Sequence, residues 1–269
     1  MTSFPEDGHR GRLIAIASGK GGVGKTWFAV TLAHVLATQS SHVLLVDGDF
    51  GLANVDIQLG IMPRRDLGHL LGGANDPASV IVRVQTGRFD LLPGRSGAGA
   101  FAALDDTALA RIKDLLERLR PSYDSILLDC GAGVDRTAQT LVATADTLLL
   151  VITEDPTSLT DAYAVLKLLL TERKPEGLDV RIVVNMAGSP AAGLRAYETL
   201  AKAAEGFLRF HPSLAGVVRR DERVREAIRR QALLLSRTPQ SIAGHDVEHI
   251  AQQLTASSPL FSQQRRAAS

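Results

Sequence analysis

Cysteine is almost missing from this chain: Cys130 is the only one among 269 residues. No disulfide can form within the chain, which suits a reducing cytosol. Net charge is nearly missing as well, at +1 from 30 basic and 29 acidic side chains. The molecule as a whole is therefore not built as a magnet for nucleic acid or membrane. No apolar run reaches the roughly 18 residues that a membrane-spanning helix needs. Glu6 and Asp7 precede the first apolar stretch, so the signal-peptide pattern is not there. There is no internal repeat, and the only low-complexity segment is a polar tail after Leu254. These absences point to a cytoplasmic protein. What the chain does have is a 45% apolar content, ample for one α/β domain with a large core.

The rest is organised around Ser18-Gly19-Lys20-Gly21-Gly22-Val23-Gly24-Lys25-Thr26. It contains Gly-x-x-x-x-Gly-Lys-Thr, a phosphate-binding loop pattern. Leu13 to Ala17 before it is an unbroken apolar run of strand length, and Trp27 to Leu36 after it reads as a helix. Strand, glycine loop and helix in that order are the context that gives the pattern its meaning. The glycines let backbone N–H groups curl inward onto phosphate oxygens, and the helix start adds its positive dipole end. The expected nucleotide-binding stretch is Gly19, Lys20, Gly21, Gly22, Val23, Gly24, Lys25, Thr26 and Trp27. Lys25 is expected on the β- and γ-phosphates, and the Thr26 hydroxyl on Mg²⁺. ATP and Mg²⁺ are thus the implied ligands.

Further apolar strands end in carboxylates. Val43 to Val46 runs into Asp47-Gly48-Asp49, and Ser125 to Leu128 runs into Asp129. Continuous apolar strands separated by helices indicate a mostly parallel twisted sheet with helices on both faces, a single P-loop NTPase domain. Functional residues of such sheets gather at the carboxyl ends of the strands. Asp49 is expected to orient the attacking water. Asp47 would hold a switch loop or join the Mg²⁺ shell. Asp129 is the strand-end carboxylate that meets Mg²⁺ or one of its waters. Cys130-Gly131-Ala132-Gly133 follows as an expected second switch, with the Gly133 backbone near the γ-phosphate. Cys130 itself reads as a small packing residue.

Other segments supply the frame. Phe89 to Leu92 is a short strand ended by Pro-Gly, and Gly94 to Gly99 a glycine-rich loop expected to be mobile. Leu109, Ile112, Leu115, Leu116 and Leu119 lie at helical spacing and predict a core-facing stripe. Thr147 to Thr153 is a buried strand. Ser158 and Asp161 have capping-box spacing and would start a helix running to Leu170. Val180 to Met186 and Leu214 to Val218 are the last two strands, and Arg219 to Arg230 a helix of dense mixed charge. Such a run reads as a solvated face with ion pairs three or four residues apart, contact with a partner being the alternative.

Lys20, directly after the first loop glycine, is not required by an ordinary phosphate loop. Gly-Lys-Gly-Gly-Val-Gly-Lys-Thr resembles the deviant Walker A motif of the MinD/ParA ATPases. The resemblance covers roughly Leu13 to Leu254. It is nearest the flagellar-number branch, FlhG/FleN, through Gly-Leu-Ala-Asn-Val-Asp, Pro-Thr-Ser-Leu-Thr-Asp, Val-Asn-Met-Ala-Gly-Ser-Pro and Asp221-Glu-Arg-Val-Arg-Glu-Ala-Ile. It implies an ATPase working as a dimerisation switch, with Lys20, Lys25 and Asp49 catalytic. Lys20 would cross to the nucleotide of a second copy when ATP is bound. It also implies adenine contacts from Asn185, whose amide suits a base edge, and from Val218 and Arg219. Relatives usually carry Ile-Pro where Val218 and Arg219 stand. The implied partner is a flagellar transcription regulator or assembly protein. The resemblance divides the chain into a flexible segment 1–12, an ATPase domain 13–254 and a tail 255–269. Met1 to Arg12 carries no Asp-Gln-Ala-x-x-Leu-Arg segment, which many FlhG proteins use to bind the GTPase FlhF. Leu260 to Arg266 is short for an amphipathic membrane helix, so membrane contact is expected to be weak or absent. A peripheral place at the cell pole or inner membrane is the alternative to a free cytoplasmic one. The alternatives in function are a ParA-type DNA-partition ATPase, a MinD-type division-site ATPase and an ATP-binding scaffold or anti-activator with little hydrolysis. Strong DNA binding is not expected, and one cysteine per chain cannot supply an iron–sulfur cluster.

Overall fold

The computed structural model describes residues 10–39, 41–50, 52–72, 76–94, 105–133, 136–172 and 179–256. In chain order, β1 (Arg12–Ser18) leads to α1 (Lys25–Thr38), and β2 (Val43–Gly48) to the short helices α2 (Val55–Leu59) and α3 (Leu67–Leu71). A hairpin of β3 (Val82–Val84) and β4 (Phe89–Leu92) precedes α4 (Asp106–Leu119), β5 (Ser125–Ala132) and α5 (Arg136–Val142). Then come β6 (Thr147–Ile152), α6 (Pro156–Glu172), β7 (Asp179–Ala187), α7 (Pro190–Leu208) and β8 (Ser213–Arg219). The helices α8 (Glu222–Arg229), α9 (Leu234–Arg237) and α10 (Ile242–Ala256) complete the described chain.

The strands form one sheet in the order β3-β4-β2-β5-β1-β6-β7-β8. Every pairing is parallel except β3 with β4. The reason lies in the side chains. Leu13, Ala15 and Ala17 of β1 enter one core, and Ile14 and Ile16 enter the other. Side chains alternate across a strand, so a strand apolar at every position must be covered on both faces. The stripe of α4 is buried at all five expected positions, and Ile112, Leu115, Leu116 and Leu119 pack into the first core. Removing one such leucine, Leu116→Ala, is expected to cost about 2–5 kcal/mol through lost burial and a residual cavity. Helix α1 is buried nearly all round and belongs to the second core with α10.

Three local boundaries differ from the sequence expectation. Helix α6 begins at Pro156, not at Ser158. The Ser158 hydroxyl sits inside its first turn and accepts the Thr153 N–H at 3.0 Å, tying the helix to the end of β6. The charged helix begins at Glu222, because Asp221 is the N-cap and accepts the Arg223 N–H. Arg219 stays in β8 through its register with Ala187. Finally, β5 continues past Asp129 to Ala132, so Cys130 and Gly131 extend the strand. Residues 1–9 of the expected N-terminal segment, 95–99 of the glycine-rich loop and 257–269 of the tail lie outside the described residues.

Candidate functional site

The central strands deliver the expected residues to one edge of the sheet. Register sets Ile16 opposite Asp129 and Asp47 opposite Asp129, so β2, β5 and β1 end side by side. The loop between β1 and α1 closes over them. Gly24 adopts a left-handed φ of 80°, and a Cβ there would lie 2.5 Å from the Asn185 amide nitrogen. At Gly19 a Cβ would come within 2.4 Å of the Asp161 backbone. Only glycine fits either place, the first for its backbone and the second for its closeness to α6. The Ser18 hydroxyl donates to the Lys20 carbonyl at 2.9 Å, bracing the turn from within.

Lys25 and Asp129 form a buried ion pair at 2.9 Å, with side chains 7% and 0% exposed. Burial is the largest influence on the Lys25 ammonium and lowers its pKa. The charge and hydrogen bond of Asp129 together outweigh it, so the net shift is upward. Burial pushes the Asp129 carboxyl above its ordinary range, while Lys25 and the Thr26 hydroxyl pull against it. One Asp129 oxygen takes the lysine proton donor; Oδ2 is buried with no partner. A buried carboxylate oxygen left unbonded costs free energy and marks a place for a ligand. A carboxylate oxygen and the Thr26 hydroxyl are hard donors of the kind Mg²⁺ takes, together with substrate phosphates and water. The residues fit that ion. No cluster of three or more metal-ligating His, Cys, Asp or Glu side chains occurs among the described residues, and a phosphate-bridged Mg²⁺ needs none.

Asp47 and Asp49 sit in different surroundings. Asp47 is buried, and its oxygens accept three backbone N–H groups: Asp49 at 3.2 Å, and Asn54 and Val55 at 3.0 Å each. It therefore ties the chain after β2 to the start of α2. Burial first, and then the nearby Asp129 charge, push its carboxyl up to about 7, against those three donors. Asp49 is half-buried, accepts the Leu52 N–H at 3.0 Å and lies over Gly131, where a Cβ would sit 3.5 Å from its Oδ1. The Gly133 N–H bonds the Ser18 carbonyl at 2.9 Å, so the end of β5 meets the loop.

Lys20 turns back along its own chain. Its Nζ donates to the Thr157 hydroxyl at 2.8 Å and lies 3.7 Å from Asp155 Oδ2, with 31% of the side chain exposed. Asn185 is buried, and its amide donates to the Val23 carbonyl at 2.8 Å. It braces the loop from the end of β7. Met186, the next residue, has a left-handed φ of 58°, a strain that native proteins keep where geometry matters. Val218 is buried, and Arg219 is bound by Asp246. Trp27 is buried in α1 with its indole N–H unpartnered. Sequence reasoning missed Asp155 and Thr157 as the Lys20 partners, although the strand-end rule that found Asp49 applies equally after β6. It also missed Asp246, which no motif marks.

Residues 11–175 match a family described as an AAA domain. The chain is 34% identical to the antiactivator FleN of Pseudomonas aeruginosa, over 91% of this chain and 87% of that protein. It is 31% identical to the flagellum site-determining protein YlxH of Helicobacter pylori, over 93% and 83% of the two chains. The solved septum site-determining protein MinD of Pyrococcus horikoshii, complexed with Mg-ADP, superposes with a TM-score of 0.72 at 25% identity, covering 90% and 95%.

Proposed function

The chain belongs to the MinD/ParA family of ATPases and has relatives in its flagellar branch, and from that premise we propose an ATP-driven dimerisation switch that sets flagellar number or flagellar gene expression. The relatives' names, an antiactivator and a flagellum site-determining protein, support the flagellar output. The partner would be a flagellar transcription regulator or assembly protein that recognises the ATP-bound form.

The reaction is ATP and water to ADP and phosphate, and catalysis is positioning and charge neutralisation. Lys25 leaves Asp129 for the β- and γ-phosphates. Asp129, freed of its lysine, and Thr26 would hold Mg²⁺, which would supply positive charge to offset that of the phosphates. Asp49 aligns the water. Asp47 keeps Asp49 in place through the backbone of the switch loop. When the γ-phosphate departs, the switch loops relax and the dimer loosens.

The single observation that carries the dimer is Lys20. Lys25 already serves the phosphates within this chain, so a second loop lysine is redundant in a monomer. Lys20 is held in its own chain by a neutral hydroxyl and a distant, 69% exposed Asp155. Exposed pairs of this kind are worth about 0–1 kcal/mol, so little opposes its swinging across to a second copy's nucleotide. Lys20→Ala and Lys20→Gln should bind nucleotide in calorimetry yet stay monomeric in light scattering with a slowly hydrolysed ATP analogue. Dimers from both variants would refute the trans role. Flagella counted by electron microscopy, with flagellar transcripts measured beside them, in cells lacking the protein test the output; no change in either excludes it.

A further inference from the structure

We propose that Met186 is a positioning residue for the nucleotide: its side chain presses on Gly24 and holds the phosphate loop in its binding shape. This rests on the nucleotide reading above and adds a residue that the reading does not use. The backbone points to it. Four residues other than glycine have a positive φ among the described residues: Arg88, Met186, Arg209 and Gln231. Arg209 is the C-cap of α7, and Gln231 directly follows the C-cap of α8. Left-handed residues are common at helix ends. Arg88 stands in the turn between β3 and β4, where such a φ is also ordinary. Met186 alone lies inside a strand, β7. Glycine would adopt this φ free of strain. A larger side chain kept there in spite of the strain has something to touch.

What it touches is the loop. Strands β7 and β8 pair at Val184 with Val217 and again at Ala187 with Arg219, so three steps along β7 match two along β8. The extra residue is a bulge, and bulges re-aim side chains. Neighbouring residues of a regular strand point to opposite faces. Here Asn185 and Met186 both arrive at one glycine. A Cβ on Gly24 would lie 2.5 Å from the Asn185 amide nitrogen and 2.9 Å from Met186 Cε. The two contacts differ in kind. Asn185 is buried and ties the loop by donating to the Val23 carbonyl at 2.8 Å. Met186 is half-buried and fills the space against Gly24, whose own φ is 80°. A flexible, polarizable thioether suits an irregular gap of this kind. Gly24 is the N-cap of α1 and directly precedes Lys25, so a shift there moves the lysine and the loop N–H groups together.

Calorimetry of the full chain with ADP and with inorganic tripolyphosphate, beside urea unfolding without ligand, tests this. Met186→Gly removes the side chain and frees the backbone of its strain. It should weaken both ligands about tenfold, while the urea midpoint stays at or above the wild-type value. Met186→Leu keeps a side chain of similar size against Gly24 and should bind both ligands within about twofold of wild type. Unchanged affinity in Met186→Gly overturns the inference. So does a loss of affinity and stability together, which marks an ordinary packing residue. Loss of ADP alone also overturns it, because that assigns Met186 to the base, and so does a Met186→Leu variant as weak as Met186→Gly. A wild-type chain that binds neither ligand would instead overturn the nucleotide site.

Discussion

Breaking the buried pair between Lys25 and Asp129 should show how far the site is poised against its own fold. Lys25→Met keeps most of the side-chain volume and removes the charge. It leaves Asp129, 0% exposed, without its counter-ion among groups that already raise its pKa. Stranding one member of a buried pair typically costs about 3–5 kcal/mol, a large part of the roughly 5–15 kcal/mol that holds a domain together. Protonation of Asp129 limits the loss, so the penalty should lie near 3 kcal/mol at pH 8 and shrink as the pH falls. Urea unfolding of nucleotide-free protein, followed by two probes, measures it. Adding Asp129→Asn should recover most of the loss, because the double variant buries no lone charge. The reasoning fails if Lys25→Met unfolds within about 0.5 kcal/mol of wild type and the double-mutant cycle shows no coupling. The same variant should bind no ATP in calorimetry.

Three other outcomes are expected. Asp49→Ala should keep ATP binding but stop phosphate release in a turnover assay; turnover at the wild-type rate would assign the water to another group. Asp47, pushed up to about 7, keeps a proton in the fold that the unfolded chain has lost above pH 4, so its contribution to stability falls as pH rises from 4 to 7. At about 1.4 kcal/mol per pH unit the fall reaches roughly 4 kcal/mol, and Asp47→Asn should flatten that part of the urea-midpoint profile. Gly19→Ala should displace the start of α6, because its Cβ meets Asp161 backbone at 2.4 Å; a variant with wild-type stability and nucleotide affinity would show that the loop and α6 are not in fixed contact.

The elements that could be read from sequence are those with a local cause. The α4 stripe declares itself through spacing, and β1 through an apolar run too long to leave a face wet. The phosphate loop is local for the same reason, since its glycines answer to backbone conformation. Boundaries depart from the sequence pattern where a hydrogen bond or strand pairing outside the pattern decides them. Ser158 resembles a cap, but the Thr153 N–H takes its hydroxyl. Arg219 resembles the start of a charged helix, but pairing with β7 keeps it in the sheet. The cis resting place of Lys20 joins residues 137 apart in sequence, and the ion pair of Arg219 depends on a carboxylate in the second turn of α10. Periodicity carries no trace of either, because both are products of how the sheet brings strand ends and helices together.

Trp27 is the chain's single tryptophan, and it directly follows the lysine and threonine that are to hold phosphate and metal. Its indole is buried and its N–H bonds nothing, so its emission reports one environment undiluted by any other indole. Any rearrangement of the first turn of α1 on nucleotide binding changes that environment. The protein thus carries an intrinsic optical probe two residues from its reactive lysine, and the occupancy of the loop can be followed in real time without a label.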